Sequence, residues 1–274
     1  MAKKKNIDGS VRFEEYYHGI YKERWESLKA ALLEEKECQV EIPNLSSPYY
    51  VDEASLLTAG LLPVCEGMNV LDMCAAPGGK TLVLSTKLKG TGSLTSNDRS
   101  PDRRARLKKS IADCLPEDYR GNIRVTGFDA SSWGLYEKEI YDAILLDAPC
   151  SSERHVMIDP KHLSIWSPSR PKRLAVLQYA MLSSALLAAK SGAYILYSTC
   201  SINPEENSEV IAKLFKRHSD EVEEIETDLI GEQQEYGKLH FYKTNKQKYQ
   251  YQNYLLSFLF QCWELTLFHF YHYA

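Results

Sequence analysis

An α/β fold is expected: a mostly parallel sheet with helices on both faces and a helical extension at the N-terminus. Three features of the 274-residue sequence point to it. Five short apolar runs alternate with helical patterns, an order that right-handed crossovers turn into a parallel sheet. The first run, Asn69 to Met73, enters a small-residue turn, Cys74-Ala75-Ala76-Pro77-Gly78-Gly79-Lys80, and a helix follows at once from Thr81. Gly78, Asp98, Asp129, Asp147, Cys150 and Cys200 all fall at or just beyond the carboxyl end of a run, the edge where such sheets hold ligands.

Residues 1–45 form the extension. From Phe13 to Lys36, Tyr17, Tyr21, Trp25, Leu28 and Leu32 recur every three or four residues, giving a helix with one apolar docking face. Ile42 to Tyr50 holds two prolines and a Ser-Ser pair and is a loop; Asp52 to Leu62 is a second helix, ended by Pro63. The main domain spans 46–240. Its second strand is Ser93 to Asn97, followed by Asp98, which either binds ribose hydroxyls or caps the Arg/Lys-rich helix from Pro101 to Cys114. That helix is one of the densest basic patches in the chain. Ile123 to Gly127 is a third strand, Tyr141 to Asp147 a fourth, apolar enough to be buried on both faces. A polar loop runs to Pro171. Lys172 to Lys190 is a helix stopped by Gly192, and Tyr194 to Tyr197 is the fifth strand. Asn203-Pro204-Glu205-Glu206 opens another helix.

Composition narrows the function. A net charge of −4 excludes a generally basic nucleic-acid binder, so any nucleic-acid contact needs a local patch or a partner. Seven cysteines, with no CxxC pair and no Cys/His zinc spacing, indicate free thiols in a reducing compartment and no metal site. A cytoplasmic location is expected, with a mitochondrial or nuclear one left open. Met1-Ala2-Lys3-Lys4-Lys5 is not the start of a secretory signal. Residues 241–274 read as a divergent C-terminal tail; its apolar stretch, Leu255 to Phe270, contains Gln261 and Glu264 and is too short for a membrane span.

Two local patterns leave choices open. Gly79-Lys80-Thr81 ends a phosphate loop, but Cys74 stands where that loop needs its first glycine. A phosphate-loop ATPase is therefore a rival class. Cys150 and Cys200 each lie three residues beyond a strand residue, Asp147 and Tyr197. If those strands are neighbours, both thiols face one pocket; otherwise they are small core residues.

Three motifs in order, Asp72 to Thr81, Asp147-Ala148-Pro149-Cys150 and Ser198-Thr199-Cys200-Ser201, resemble the Sun-type RNA cytosine-5 methyltransferases. The resemblance covers about Tyr49 to Asn207, and Phe13 to Leu33 is similar to the family's short, mitochondrial-type members. It implies a class I methyltransferase-type, Rossmann-like fold over 46–240, with S-adenosylmethionine as the ligand instead of a phosphate. Cys74, Ala75, Ala76, Pro77, Gly78, Gly79 and Lys80 would hold the methionine part, Asp98 the ribose, Asp129 the adenine amino group, and Asp147 would lie between cofactor and base. It further implies that Cys200 attacks carbon 6 of cytosine and that Cys150 helps release. DNA cytosine methyltransferases take the nucleophile from a Pro-Cys motif, here Pro149-Cys150, so the choice between the thiols stays open. The expected substrate is RNA, ribosomal more than transfer RNA, with a protein partner or ribonucleoprotein supplying targeting. A non-catalytic ribosome or ribonucleoprotein assembly factor that keeps the fold is the alternative.

Overall fold

A computed structural model describes residues 8–34, 39–226, 240–243 and 254–257. In chain order the elements are α1 (Gly9–Tyr21), α2 (Trp25–Leu33), β1 (Gln39–Glu41), β2 (Tyr50–Asp52), α3 (Glu53–Leu61), β3 (Asn69–Asp72), α4 (Gly79–Leu88), β4 (Ser93–Asn97), α5 (Pro101–Cys114), α6 (Glu117–Arg120), β5 (Ile123–Thr126), β6 (Tyr141–Asp147), α7 (Glu153–Ile158), α8 (Pro160–Ser164), α9 (Ser169–Ala188), β7 (Ala189–Ser198), α10 (Ser208–His218), β8 (Glu223–Glu226), β9 (His240–Lys243) and β10 (Tyr254–Ser257).

The main sheet runs β5-β4-β3-β6-β7-β10-β9-β8. The five expected strands are mutually parallel and adjacent. β10 adds in parallel to β7, and β9 and β8 follow antiparallel. His240–Lys243 and Tyr254–Ser257 thus add two strands to that edge, while most of the Leu255 to Phe270 stretch lies outside the described residues. Among the described residues no helix is long and apolar enough to cross a membrane.

Side chains alternate across the sheet with the two-residue period of a strand. Ala143 and Leu145 of β6 join Leu82, Leu84, Leu94 and Leu107 on the side of α4 and α5. Ile144 and Leu146 join Trp133, Leu182, Ala185 and Leu214 on the side of α9 and α10. Burial on both faces explains why this run is continuously apolar. Each fully buried Leu or Ile contributes about 1.5–3 kcal/mol.

The extension departs from a single helix. It breaks at Lys22, whose φ of 52° lies in the left-handed region, and a 3₁₀ turn (Lys22–Arg24) separates α1 from α2. The apolar face survives the break: Phe13, Tyr17, Trp25, Leu28 and Leu32 are buried together with Val156, Trp166 and Ile202. Gly9 lets α1 approach α8 closely, since a Cβ there would stand 2.4 Å from the Leu163 carbonyl oxygen.

Two further expectations are corrected, and the loop expected at Ile42 to Tyr50 holds. The polar loop before Pro171 contains α7 and α8, the latter started by Asp159, which accepts from the Lys161 N–H at 2.8 Å, and by Pro160 in its first turn. The helix placed at 172–190 is α9, ending at Ala188, because β7 begins at Ala189 and pairs there with Tyr141. The stretch around Ile42 to Tyr50 is the loop of a hairpin, with β1 and β2 antiparallel.

Candidate active site

The first turn of the sheet is shaped by glycine. Gly78 caps α4 at φ 127°, a conformation that side chains rarely adopt. Thr81 is fully buried; its hydroxyl donates to Asp72 at 2.7 Å and lies 3.2 Å from Ser96 Oγ. Lys80 reaches across to Asp147 Oδ2 at 2.9 Å and donates to Ser55 at 2.9 Å. A phosphate loop needs that hydroxyl for magnesium and that ammonium for phosphate, and here both are bound internally.

A cavity of about 1180 Å³ opens along the carboxyl edge of the sheet. Met73, Cys74, Lys80, Asn97, Asp98, Phe128, Asp129, Asp147, Cys150, Ser152, Ser198 and Cys200 are among the residues lining it. Within the turn only Cys74 and Lys80 do so. Ala75, Ala76, Gly78 and Gly79 are buried, Pro77 is exposed, and the carbonyls of Ala76 and Pro77 accept from Arg103 and Ser110. Strand order sets the sequence of groups along the edge: Asp129, Asp98, Cys74, Asp147 and finally Cys200.

Asp98 is not the helix cap. Ser100 caps α5, accepting from the Arg103 N–H, while the Asp98 carboxylate accepts from the Ser100 N–H at 2.9 Å and pairs with Arg103 at 3.3 Å. It is nearly buried and borders the cavity. The basic face of α5 is partly spent internally, since Arg104 donates to the carbonyls of Asp98 and Arg99. Asp129 starts the 3₁₀ helix at 130–135 by accepting from Ser131, and those bonds, followed by the Arg99 charge, hold its pKa below the usual carboxylate value. Burial opposes the charge of Lys80, but Asp147, Asp52 and Asp72 outweigh it and raise its pKa.

The two cysteine segments emerge side by side because Asp147 and Ser198 are register partners at the ends of β6 and β7. The Ala148 N–H donates to the Ser198 carbonyl at 2.9 Å, and Ser198 Oγ to Asp147 at 2.9 Å. Cys150 Sγ lies 2.9 Å from Cys200 Sγ, and Ser152 Oγ lies 3.3 Å from the latter. The five described cysteines are all free. Cys150 is half-buried and its thiol is pushed well up, by its bond to Cys200 and by burial; Cys200 is exposed and is lowered by donation from Cys150 and, against burial, from Ser152. The pair is thus asymmetric, with Cys200 the more acidic thiol and Cys150 the less acidic one. Burial and then Asp72 and Asp147 drive the Cys74 thiol well up, so it stays protonated.

Sequence reasoning passed over several of these neighbours. Ser152 and Ser198 carry no motif signal beyond their place beside the cysteines. Phe128, 60% exposed at the cavity, adjoins Asp129 and was open to notice as an aromatic at a strand end. His155, Asp159 and His162 bring three ligand-type atoms within 4.8 Å, but Asp159 already caps α8 and pairs with His162.

The family model described as 16S rRNA methyltransferase RsmB/F matches residues 59–256. The 5-cytosine rRNA methyltransferase NSUN4 of Bos taurus is 42% identical over 171 residues, 60% of this chain and 43% of that protein. Ribosomal RNA small subunit methyltransferase F of Escherichia coli K12 is 36% identical over 183 residues, 66% of this chain and 37% of that protein. The chain therefore spans less than half the length of these curated relatives. The crystal structure of PH0851 shares the fold at a TM-score of 0.66 and 21% identity, covering 83% of this chain and 63% of that one. NSun6 from Pyrococcus horikoshii with SFG has a TM-score of 0.56 at 25% identity, covering 76% and 51%. The chain belongs to the RsmB/F family of 16S rRNA methyltransferases, a family whose cofactor is S-adenosylmethionine.

Proposed function

We propose that this chain methylates carbon 5 of a cytidine in RNA, ribosomal in preference to transfer RNA, through a covalent bond between Cys200 and carbon 6. The observation that carries this is the thiol pair: an exposed Cys200 facing the cavity, with Cys150 Sγ at 2.9 Å and Ser152 Oγ at 3.3 Å as hydrogen-bond partners.

The residues present fit the cofactor. Asp98 offers a nearly buried carboxylate suited to a pair of ribose hydroxyls, Asp129 an acceptor for an amino group, and Phe128 an apolar face for a purine. Cys74 and Lys80, with their backbone turn, face the methionine part. When bound, S-adenosylmethionine supplies an electrophilic methyl group. Asp98→Ala is expected to weaken its binding by about 1.5–3 kcal/mol, because the diol loses a charged acceptor. Calorimetry giving equal affinities for variant and parent would remove Asp98 from that role.

Carbon 5 of cytosine is a poor nucleophile. Addition of the Cys200 thiolate to carbon 6 makes carbon 5 enamine-like and able to take up the methyl group. Asp147, with the Lys80 ammonium at 2.9 Å, is placed to hold the polar edge of the base and a proton shared with its ring nitrogen. Afterwards the carbon 5 proton passes to a base reaching the cavity and the sulfur–carbon 6 bond breaks. The Cys150 S–H donates to the departing sulfur.

The names of the relatives, both ribosomal RNA enzymes, support the substrate class. With a net charge of −4, affinity for free RNA is weak, and a protein partner or a ribonucleoprotein substrate compensates. Free thiols fit a reducing compartment such as the cytoplasm. Labelled methyl is expected on carbon 5 of cytidine in ribosomal RNA or ribosomal subunits, falling as salt rises, with none in duplex DNA. Label on an exocyclic amine, or none on any RNA despite cofactor binding, overturns the proposal; the latter result favours the assembly-factor alternative.

A further inference from the structure

Behind the two thiols lies a buried pair of carboxylates that the chemistry above does not use. Glu153 at the start of α7 and Glu206 before α10 are 1% and 0% exposed. Among the described residues no Lys, Arg or His forms an ion pair with either. Two hydroxyls bridge them. Ser151 Oγ is in hydrogen-bond contact with both carboxylates, and Ser201 Oγ lies 3.1 Å from each. The two serine oxygens are themselves 3.1 Å apart.

Proton counting shows what this requires. Each serine has one hydroxyl proton, and Ser151 Oγ meets three oxygens: Glu153, Glu206 and Ser201. It cannot donate to all of them, and a proton on a carboxyl group would fill the gap. Two like charges this close and this dry repel strongly. The remaining contacts are acceptor contacts that strap the cysteine segments. Glu206 accepts from the Ser151 N–H, next to Cys150, and from Gln178 of α9, both at 2.9 Å. Glu153 accepts from the Ile202 N–H, just beyond Cys200, at 3.1 Å, and from Tyr17 of α1 at 2.6 Å.

We propose that the Glu206 carboxyl carries a proton held against Glu153 through the two bridging serines, and that this proton holds the Cys150 and Cys200 segments together, making the two glutamates positioning residues for the thiol pair. Loss of the proton leaves two buried negative charges, drives the segments apart and ends donation from Cys150 to Cys200. The other titratable or charged groups around the pair are Tyr16 and Tyr17 from α1, Arg170 at the start of α9, Tyr197 of β7, Glu205, Asp147 and the two cysteines. Tyr16, Tyr17 and Tyr197 are all shifted upward, chiefly by burial, and stay neutral. Arg170 is spent on the Ser151 carbonyl at 3.2 Å. Burial first, and Glu153 second, push Glu206 up to about 7, so the clamp releases as pH rises through neutrality.

The proposal rests on Cys200 as the accessible thiolate, but its test needs no RNA. Iodoacetamide modification is followed by mass spectrometry well below and well above pH 7. In the parent, Cys200 is labelled in preference to Cys150 at the lower pH, and the preference is lost at the higher pH. In Glu206→Gln the amide supplies the missing donor without a titrating proton, so the preference persists at both. Parent and variant changing alike with pH overturns the clamp. Infrared spectroscopy of the parent adds an independent reading, and Glu153→Gln is the reciprocal variant should Glu206→Gln not fold. A protonated-carboxyl stretch present in the parent at low pH, lost across neutrality and missing from Glu206→Gln is expected; no difference between parent and variant overturns the protonated Glu206. Should RNA methylation fail while both signatures appear, only the assignment of function falls.

Discussion

Cys200→Ala is expected to lose methyl transfer by about 10⁴-fold or more and to form no protein–RNA adduct, while binding S-adenosylmethionine like the parent. Without the thiolate nothing adds to carbon 6, and carbon 5 stays unactivated. Cys150→Ala behaves differently. Its Cys200 keeps the Ser152 hydroxyl at 3.3 Å and still attacks, but the departing sulfur loses the donor that sat 2.9 Å away. The sulfur–carbon 6 bond then persists, and a nuclease-sensitive, slower-migrating band survives denaturing electrophoresis in the presence of cofactor. In the proposed scheme the asymmetry arises because covalent catalysis divides the reaction into two halves, with one thiol acting in each. If Cys200→Ala accumulates the band and Cys150→Ala does not, the Pro149-Cys150 segment carries the nucleophile. If neither traps RNA while the parent is active, Cys150 has no part in release.

Trp25→Ala is expected to lower stability by about 3–5 kcal/mol, the cost of removing a large buried aromatic and leaving a cavity. Trp25 is fully buried, lies 5.4 Å from Tyr17 in a stacked pair and 6.0 Å from Phe13, and donates its ring N–H to Glu14 at 2.8 Å. Phe13, Tyr16 and Tyr17 in turn contact Trp166, which follows α8. The loss therefore reaches the segment between Cys150 and α9. A fall of about 10 °C in the unfolding midpoint is expected, with faster proteolysis in 8–34. An unchanged midpoint, with proteolysis confined to the extension, separates that extension from the cooperative unit of the sheet.

Particular residues show how far local pattern carries. The run Tyr141 to Asp147 announces a central strand because both its faces meet apolar layers, and the structure places it between β3 and β7. Pro101 to Cys114 is bounded as expected, since Ser100 and Pro101 are strong local start signals. Boundaries shifted where tertiary contacts overrode local preference. Lys22 breaks the N-terminal helix while its apolar face continues. Ala189 leaves α9 to pair with Tyr141, three residues before the glycine that local pattern marked as the stop.

The site divides in the same way. Strand ends, turn chemistry and the order of the motifs are properties of neighbouring residues, and they placed Asp98, Asp129, Asp147, Cys150 and Cys200 along one edge of a parallel sheet. That Cys150 meets Cys200, that Lys80 is spent on Asp147, and that Glu153 and Glu206 meet behind them depend on residues 50–67 positions apart coming within a few ångströms. No pattern along the chain encodes those distances. They arise only when β6 and β7 pair in register, when α9 brings Gln178 to Glu206, and when α1 brings Tyr17 to Glu153. Which thiol is the more acidic is an electrostatic property of that assembly, because a pKa is set by burial and by hydrogen-bond partners supplied from other parts of the fold.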